Sequence, residues 1–339
     1  MRSLKEKTNK KRMAKVDLSK SIRDIWSKNE TDFENKLKRW ASALNCGNDL
    51  STLAKKEFHQ WNPLRTYVSV SKSKSNSRAI YSLRFFGQEV AQLMVMNKEV
   101  TLRLKGHEKK NSDWFGVKTK DGNYVWRERD AKQFRSCFKE VAQRTKGFPD
   151  VKSPEHRVET KFIAEMRKGS GKFGIAGLQI QPVMIANKFP LQIPVPISAN
   201  TGSPEPGNGY IDILARRMAK DNKVRLSVWE LKRPSEYKYA AAQAYIYAYT
   251  LLQILRKSKS NSKWFKLFCF DSVIPPSLTI DAVVAITSDQ RKNFLSEKES
   301  LIKRVPFVFG NDRIELYVAY YREHANSIEL EEDPFPKKL

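Results

Sequence analysis

The spacing of apolar residues in the first hundred positions changes from helical to strand-like. Apolar side chains recur at three- and four-residue steps over residues 17–44, which predicts one amphipathic helix beginning at Asp17 or Ser19. A second short helix is predicted from Ser51, a favourable N-cap, to about Gln60. Alternating and apolar runs separated by turn residues then predict a small antiparallel sheet. Its predicted strands are residues 66–71, 79–86, 90–96 and 100–104.

Between this sheet and the middle of the chain, the pattern predicts a hairpin, a helix and a linker. Residues 113–127 are predicted to form the hairpin, with its turn at Asp121-Gly122. Residues 130–145 carry apolar side chains on one helical face, which predicts a helix. The segment from Gly147 to Pro154 is rich in turn-forming residues, so we place a domain boundary there.

The second half of the chain alternates helical and strand-like segments. A helix is predicted from Ser153 or Pro154 to about Lys168, followed by strand-like residues 178–185 and 191–197. Two apolar runs, 210–214 and 226–231, flank the turn signal Asp221-Asn222, which predicts a hairpin. An Ala-rich run predicts a long helix over 235–256. Further strands are predicted at 283–286 and 314–321.

The charge balance points to a polyanionic partner. The 339 residues include 63 Lys and Arg against 37 Asp and Glu, a net charge of +26. The excess is largest in residues 1–150, which carry 34 basic and 17 acidic residues. A basic excess of this size is the usual electrostatic footprint of a nucleic-acid-binding protein.

The cysteines, histidines and apolar runs argue against disulfide-rich, zinc-binding and membrane proteins. The chain has three scattered cysteines, which favours reduced thiols and a cytoplasmic location over a disulfide framework. Four scattered histidines make a zinc site unexpected. No apolar run approaches the roughly 18–20 residues of a membrane helix, so we expect no membrane partner.

Three polar residues interrupt the two apolar runs of the predicted hairpin. Side chains alternate along a strand, so Glu230 and Lys232 project to the same face. Asp212 lies in the neighbouring run, where an acid has no packing reason to be. If the strands pair, Asp212 and Glu230 can share a divalent cation beside the Lys232 amine. The alternative is an ordinary Glu–Lys pair on a solvated face.

The ordered set Asp212, Glu230-Leu231-Lys232 resembles the motif of the PD-(D/E)XK nuclease superfamily, although no Pro precedes Asp212. Gln243 and Tyr247 follow four residues apart on the predicted helix, a spacing similar to the Gln-x-x-x-Tyr of the RecB-like branch. The resemblance covers roughly residues 153–290. It implies an α/β (α+β) fold: a restriction-endonuclease-like αβββαβ core with a mixed central sheet.

We therefore divide the chain into three parts. Residues 1–20 are predicted to be a basic flexible arm, and residues 21–148 an α+β nucleic-acid-binding or recognition domain with the small antiparallel sheet. Residues 153–339 are predicted to be the nuclease domain.

The resemblance also implies roles for individual residues. Asp212, Glu230 and the carbonyl of Leu231 would bind Mg²⁺, with Mn²⁺ as a substitute. Lys232 would orient or deprotonate the attacking water, or neutralise developing charge. Gln243 would hydrogen-bond a bound water or a nucleotide group, and Arg233 would contact phosphate.

Two assignments have competing interpretations. The leading helix is expected to contribute an acid, for which we select Glu159, with Glu155 and Glu165 as alternatives. An acid in a first helical turn, such as Glu155, is often there only to complement the helix dipole. Tyr247 is predicted to bind substrate, and packing of its ring in the core is an equally weighted alternative.

The sequence thus predicts a Mg²⁺-dependent deoxyribonuclease, of the restriction or phage-defence endonuclease kind. A repair or recombination exonuclease is the alternative within the superfamily, and RNA is kept as an alternative substrate. The alternative of another class is a non-catalytic nucleic-acid-binding protein that retains the fold. Assembly as a homodimer or with a partner subunit is left open.

Overall fold

The computed structural model describes residues 17–45, 47–56, 58, 63–71, 76–145, 154–168, 179–232, 239–270, 273–302 and 307–335. The helices in these ranges are α1 (Leu18–Lys28), α2 (Glu30–Leu44), α3 (Gly47–Lys55), α4 (His107–Trp114), α5 (Arg129–Arg144), α6 (Pro154–Met166), α7 (Ala240–Lys257), α8 (Asn261–Leu267) and α9 (Arg291–Ile302). The strands of the first half are β1 (Leu64–Val70), β2 (Ala79–Phe85), β3 (Gln88–Met96), β4 (Glu99–Leu104) and β5 (Gly122–Val125).

The second half contains the remaining strands. They are β6 (Ile180–Pro182), β7 (Met184–Ile185), β8 (Phe189–Pro190), β9 (Ile193–Ser198), β10 (Glu205–Ile211), β11 (Ile213–Met218), β12 (Val224–Leu231), β13 (Thr279–Thr287), β14 (Val308–Phe309), β15 (Asp312–Glu323) and β16 (Ile328–Leu330). The chain is therefore a mixed α+β protein.

The first helical segment is broken, so the prediction of one continuous helix over 17–44 is wrong. Asn29 leaves the helical conformation and its side-chain amide donates to the Ile25 carbonyl at 2.8 Å. An Asn side chain that bonds to nearby backbone competes with the helix in this way. Trp26 and Phe33 pack edge-to-face across the break at 5.5 Å. α3 also begins earlier than predicted, and most of residues 57–60 lie outside the described ranges.

The small sheet is antiparallel throughout, in the order β1-β2-β3-β4-β5. Its four predicted strands and the helix α5 are confirmed. The hairpin predicted over 113–127 is wrong, because its first two residues end α4, residues 115–120 form no strand and only β5 is a strand. α4 is fastened to the sheet by Ser112, whose hydroxyl donates to the Val90 carbonyl at 2.9 Å.

A seven-stranded mixed sheet forms the centre of the second half. Its path runs β14-β15-β13-β12-β11-β6, and β16 also pairs with β15. The pairs β12–β13 and β13–β15 are parallel, whereas the other pairs are antiparallel. The predicted α6, the β11–β12 hairpin, α7, β13 and β15 are confirmed. The part of the predicted long helix at 235–238 lies outside the described ranges.

The central sheet is covered on both faces. Trp229 and Leu231 pack with Phe162 of α6 in one hydrophobic cluster. Val228, which points to the opposite face, belongs to the cluster that contains α7. Because both faces are covered, β12 is buried from Leu226 to Leu231.

The N-terminal segment packs directly on α7. The cluster that contains α7 also includes apolar side chains of α1, α2 and the small sheet. Ser19 of α1 hydrogen-bonds Tyr245 of α7 at 2.9 Å, and Arg23 donates to the Tyr249 hydroxyl at 3.1 Å. The predicted boundary at 147–153 and residues 1–16 of the predicted arm lie outside the described ranges.

A search of the described helices finds none that combines the length and the apolar character needed to cross a lipid bilayer.

We expect Phe162→Ala to lower the free energy of unfolding by about 3–5 kcal/mol. The Phe162 ring is fully buried and lies 5.7 Å from the Trp229 ring and 5.2 Å from the Tyr321 ring, so truncation leaves a cavity. Urea unfolding measures the change. Leu295→Ala, at a residue 46% exposed on α9, is the control and should change stability by no more than about 0.5 kcal/mol. A loss below about 1 kcal/mol for Phe162→Ala would contradict this packing.

Candidate active site

Strand pairing brings Asp212 and Glu230 together. β11 pairs with β12 so that Ile213 lies opposite Trp229, which places the preceding Asp212 opposite Glu230. Asp212 Oδ2 accepts a hydrogen bond from the Leu231 backbone N–H at 2.8 Å. The predicted single run over 210–214 is corrected in one respect. Asp212 is a bend between β10, which pairs with β9 in a two-stranded ribbon, and β11 of the central sheet.

Glu230 is buried at the end of β12, and only one of its two carboxylate oxygens forms an ion pair. Its Oε1 lies 2.7 Å from the Lys232 Nζ. Its Oε2 is buried and has no hydrogen-bond partner among the described residues. A buried polar atom without a partner is uncommon and is costly to keep. This oxygen is therefore available to a ligand.

A third carboxylate comes from the first turn of α6. Glu155 Oε1 lies 3.4 Å from Lys232 Nζ. The structure does not bring the selected residue, Glu159, into this group. Its Oε2 lies 3.2 Å from His156 Nδ1 and 3.8 Å from the Arg84 guanidinium. The alternative Glu165 is paired with Lys168 near the other end of α6.

The environment shifts the protonation equilibria of all three central groups. Burial, and then the Glu230 carboxylate, raise the pKa of Asp212 well above its ordinary value. Burial raises the pKa of Glu230 to about 7, although Lys232 opposes the shift. Burial by itself would lower the pKa of Lys232, but the carboxylates of Glu230, Asp212 and Glu155 raise it overall. Lys232 is therefore an ammonium ion at neutral pH.

Tyr247 lies on α7, the helix that covers the sheet face carrying Glu230. Burial raises the pKa of its hydroxyl, the charges of Glu230 and Asp212 add to this, and a hydrogen bond with the Ala199 backbone opposes it. The Tyr247 ring packs on Gly209 of β10, where an added Cβ would lie 2.8 Å from its Cε1. Both interpretations of Tyr247 are thus compatible with its position. Gln243 is buried one turn earlier on the same face of α7.

Of the two remaining predicted site residues, Leu231 and Arg233, the structure describes only Leu231. Leu231 directs its N–H toward Asp212, and the N–H and C=O of one strand residue point to the same side. Its carbonyl is therefore on the Asp212 side of β12. Arg233 lies outside the described residues.

Another acidic group occurs in the small-sheet segment and was not expected from the sequence. Glu89, His107 and Glu108 have side-chain ligand atoms within 4.8 Å of one another. His107 Nε2 lies 3.5 Å from Glu89, whereas its Nδ1 lies 3.5 Å from Glu108. The imidazole thus lies between two carboxylates, each nearest to a different ring nitrogen. No sequence spacing marks this group, because Glu89 lies on β3 whereas His107 and Glu108 lie on α4.

No protein-family model, characterised protein or solved structure matches this chain significantly.

We expect the stability of the protein to fall as the pH rises from about 4.5 to about 7. In this range Glu230 is still protonated in the folded protein but ionised in the unfolded chain, so folding takes up a proton. The loss attributable to Glu230 amounts to roughly 3 kcal/mol. Glu230→Gln should remove it, as measured by urea unfolding with chelator between pH 5 and pH 8. The exposed Glu99→Gln is the control, and an unchanged slope in Glu230→Gln would contradict the shift.

We expect Gly209→Ala to displace Tyr247 and to lower the free energy of unfolding by roughly 1–3 kcal/mol. A Cβ at this position would lie 2.4 Å from the Ile197 carbonyl oxygen as well as against the Tyr247 ring. Gly207→Ala is the matched control in the same strand, because a Cβ there meets only Ser198 at an ordinary 3.6 Å. Equal unfolding midpoints for the two variants would show that Tyr247 does not pack as described.

Proposed function

We propose that the protein is a metal-dependent phosphodiester hydrolase. The observation that carries this proposal is the excess of acidic over basic side chains among the described residues at the end of β12. Among the described residues, the Glu230 and Glu155 carboxylates lie 2.7 and 3.4 Å from the Lys232 ammonium, Asp212 lies opposite Glu230, and one buried Glu230 oxygen has no hydrogen-bond partner. Such an arrangement is costly in a structural ion pair and is typical of a site that binds a cation.

The donor set suits a hard divalent cation. Asp212 and Glu230 offer carboxylate oxygens from neighbouring strands, and the Leu231 carbonyl is on the same side. Mg²⁺ prefers oxygen ligands of this kind, and Mn²⁺ accepts them. When bound, such an ion would lower the pKa of a water molecule and offset charge on the phosphate.

The residues around the ion-binding group have separable roles in this proposal. Because Lys232 is held as an ammonium, it is suited to orient a water or neutralise charge on the scissile phosphate, rather than to act as a base. Glu155 holds the Lys232 amine from the α6 side. Gln243 and Tyr247 line the α7 side, where an amide and a hydroxyl can donate to phosphate oxygens.

The polyanion that fits the protein best is nucleic acid. The net charge of +26 attracts a phosphate backbone at long range. A site with three carboxylates would by itself repel such a backbone, so the basic surface and the cation are both needed for the substrate to approach. DNA is the substrate that we propose.

The fold is compatible with the PD-(D/E)XK resemblance. When the two-stranded pairs β7–β8 and β9–β10 and the short α8 are set aside, the order α6, β6, β11, β12, α7, β13 is compatible with the αβββαβ pattern, and α7 lies between the parallel strands β12 and β13. The residues of the motif come together at the end of β12 and on the adjoining face of α7. We therefore propose that residues 153–339 form a restriction-endonuclease-like nuclease domain.

Within this class, the particular activity that we propose is that of a restriction or defence endonuclease acting on DNA. Cleavage of closed circular DNA in Mg²⁺ would support an endonuclease, whereas cleavage confined to linear DNA would indicate the exonuclease alternative. A single-stranded RNA substrate in the same assay tests the remaining alternative.

We expect Asp212→Asn, Glu230→Gln and Lys232→Met each to lower the rate of Mg²⁺-dependent DNA cleavage on the order of 10²- to 10⁴-fold. The first two remove a negative charge from the cation ligands, and the third removes the ammonium beside them. Initial rates on plasmid DNA measure the loss. Lys188→Met, at an exposed turn between β7 and β8, is the matched lysine control and should cleave like the wild type.

Chelator separates a nuclease from a pure binder. A non-catalytic binding protein would retain DNA equally well with EDTA or Mg²⁺ and leave it uncut. DNA cleavage that is the same in wild type and Asp212→Asn would contradict the proposed function.

A further inference from the structure

The small N-terminal sheet touches α6 at the turn that carries Glu155. Gly87, in the turn between β2 and β3, has a φ of +89°. A Cβ on Gly87 would lie 2.1 Å from the carbonyl oxygen of His156 and 2.7 Å from Thr160 Oγ1. Only glycine allows this approach, in conformation and in space. The β2–β3 turn is therefore seated against the residue that follows Glu155.

A buried ion pair reinforces the contact one turn further along the helix. Arg84 of β2 lies 3.8 Å from the Glu159 carboxylate, and both side chains are less than a tenth exposed. The Arg84 guanidinium also lies 4.4 Å above the Tyr67 ring of β1. The Tyr67 hydroxyl in turn lies 3.2 Å from Thr160 Oγ1. The Tyr67–Thr160 hydrogen bond thus joins the sheet to α6. Arg84 and Glu159 add an attraction between opposite charges without a hydrogen bond, because Arg84 Nη1 has no hydrogen-bond partner among the described residues.

The Glu159 carboxylate also contacts the helical turn that carries Glu155. Glu159 Oε2 faces both Arg84 and the Nδ1 of His156, which lies at 3.2 Å. His156 is the neighbour of Glu155, whose carboxylate is 3.4 Å from Lys232. The first turn of a helix has fewer backbone hydrogen bonds than its middle. A side chain in that turn therefore depends on tertiary contacts to stay in place.

We propose that Arg84 and Glu159 are positioning residues, which fix the first turn of α6 so that Glu155 reaches Lys232. The inference rests on the proposed function, because it concerns the same site. It assigns Glu159 a role different from that of a catalytic acid. It also makes the N-terminal segment part of the hydrolytic apparatus, beyond any role in recognising the substrate.

A double-mutant cycle between Arg84 and Glu155 tests this link. The four proteins are wild type, Arg84→Met, Glu155→Gln and the double variant, compared by kcat at saturating DNA. We expect Arg84→Met to lower kcat roughly 10- to 100-fold, as for other residues that hold a functional group in place. In the Glu155→Gln background it should add less than about twofold, because the two changes remove the same contact. Arg84→Lys, which retains the charge, should recover part of the activity.

The matched control is Arg135→Met. Arg135 of α5 lies 4.4 Å above the Trp126 ring, the same stacking distance as that of Arg84 on Tyr67. We expect its kcat to stay within about twofold of the wild-type value. Independent, multiplicative effects of Arg84→Met and Glu155→Gln would overturn the proposal. So would equal kcat values for Arg84→Met and Arg135→Met.

Two further measurements separate this inference from protein stability and from the proposed function. If Arg84→Met does not fold, Glu159→Gln replaces it in the cycle as the milder change. Crystal structures test the geometry without reference to activity. Glu155 should leave Lys232 in Arg84→Met and stay beside it in Arg135→Met; an unmoved Glu155 in both would overturn the inference. Equal cleavage by wild type and Asp212→Asn would instead reject the proposed function alone.

Discussion

The antiparallel pairing of β11 with β12 sets the position of the carboxylates on which the candidate site depends. With Ile213 opposite Trp229, Asp212 lies beside Glu230 and accepts the Leu231 N–H. A slip of one residue would turn every side chain of β12 to the other face of the sheet. Trp229 and Leu231 prevent such a slip, because they are fully buried in the cluster under α6. Hydrophobic packing on one face therefore specifies where the acids lie on the other.

The acids on that face are held in an unfavourable electrostatic environment. Burial raises the pKa of both Asp212 and Glu230, and Lys232 compensates for only part of the negative charge. Elsewhere in the same sheet, burial also raises the pKa of Asp281, to about 6, and its Oδ1 has no hydrogen-bond partner among the described residues. Two cations face that carboxylate, however: Arg217 at 2.7 Å and Arg225 at 3.9 Å. Asp281 and its two arginines form a structural ion-pair cluster. Among the residues that the structure describes, the site around Glu230 has more acids than bases, and in the proposed function a cation supplies the missing charge.

Sequence patterns located the strands of this site better than they located its third acid. Alternation and the Asp221-Asn222 turn were sufficient to predict the β11–β12 hairpin, because both are local signals. The sequence did not identify which glutamate of α6 lies beside Lys232. Glu155 and Glu159 are one turn apart on the same face, and they differ in their tertiary contacts: Glu155 lies beside Lys232, whereas Glu159 lies beside Arg84. Likewise, the break at Asn29 depends on a side-chain hydrogen bond to Ile25 that helical periodicity does not reveal. Local sequence patterns therefore predicted helices and strands, whereas tertiary contacts determine which of their side chains lie in the candidate site.

The most direct test of cation binding by Asp212 and Glu230 is an anomalous difference map of crystals grown with Mn²⁺. We expect one strong peak between the Asp212 and Glu230 carboxylates, within coordination distance of both and near the Leu231 carbonyl. We also expect this peak to be absent from crystals of Asp212→Asn. A peak only at Glu89, His107 and Glu108, or no peak near Glu230 at saturating Mn²⁺, would contradict cation binding by Asp212 and Glu230.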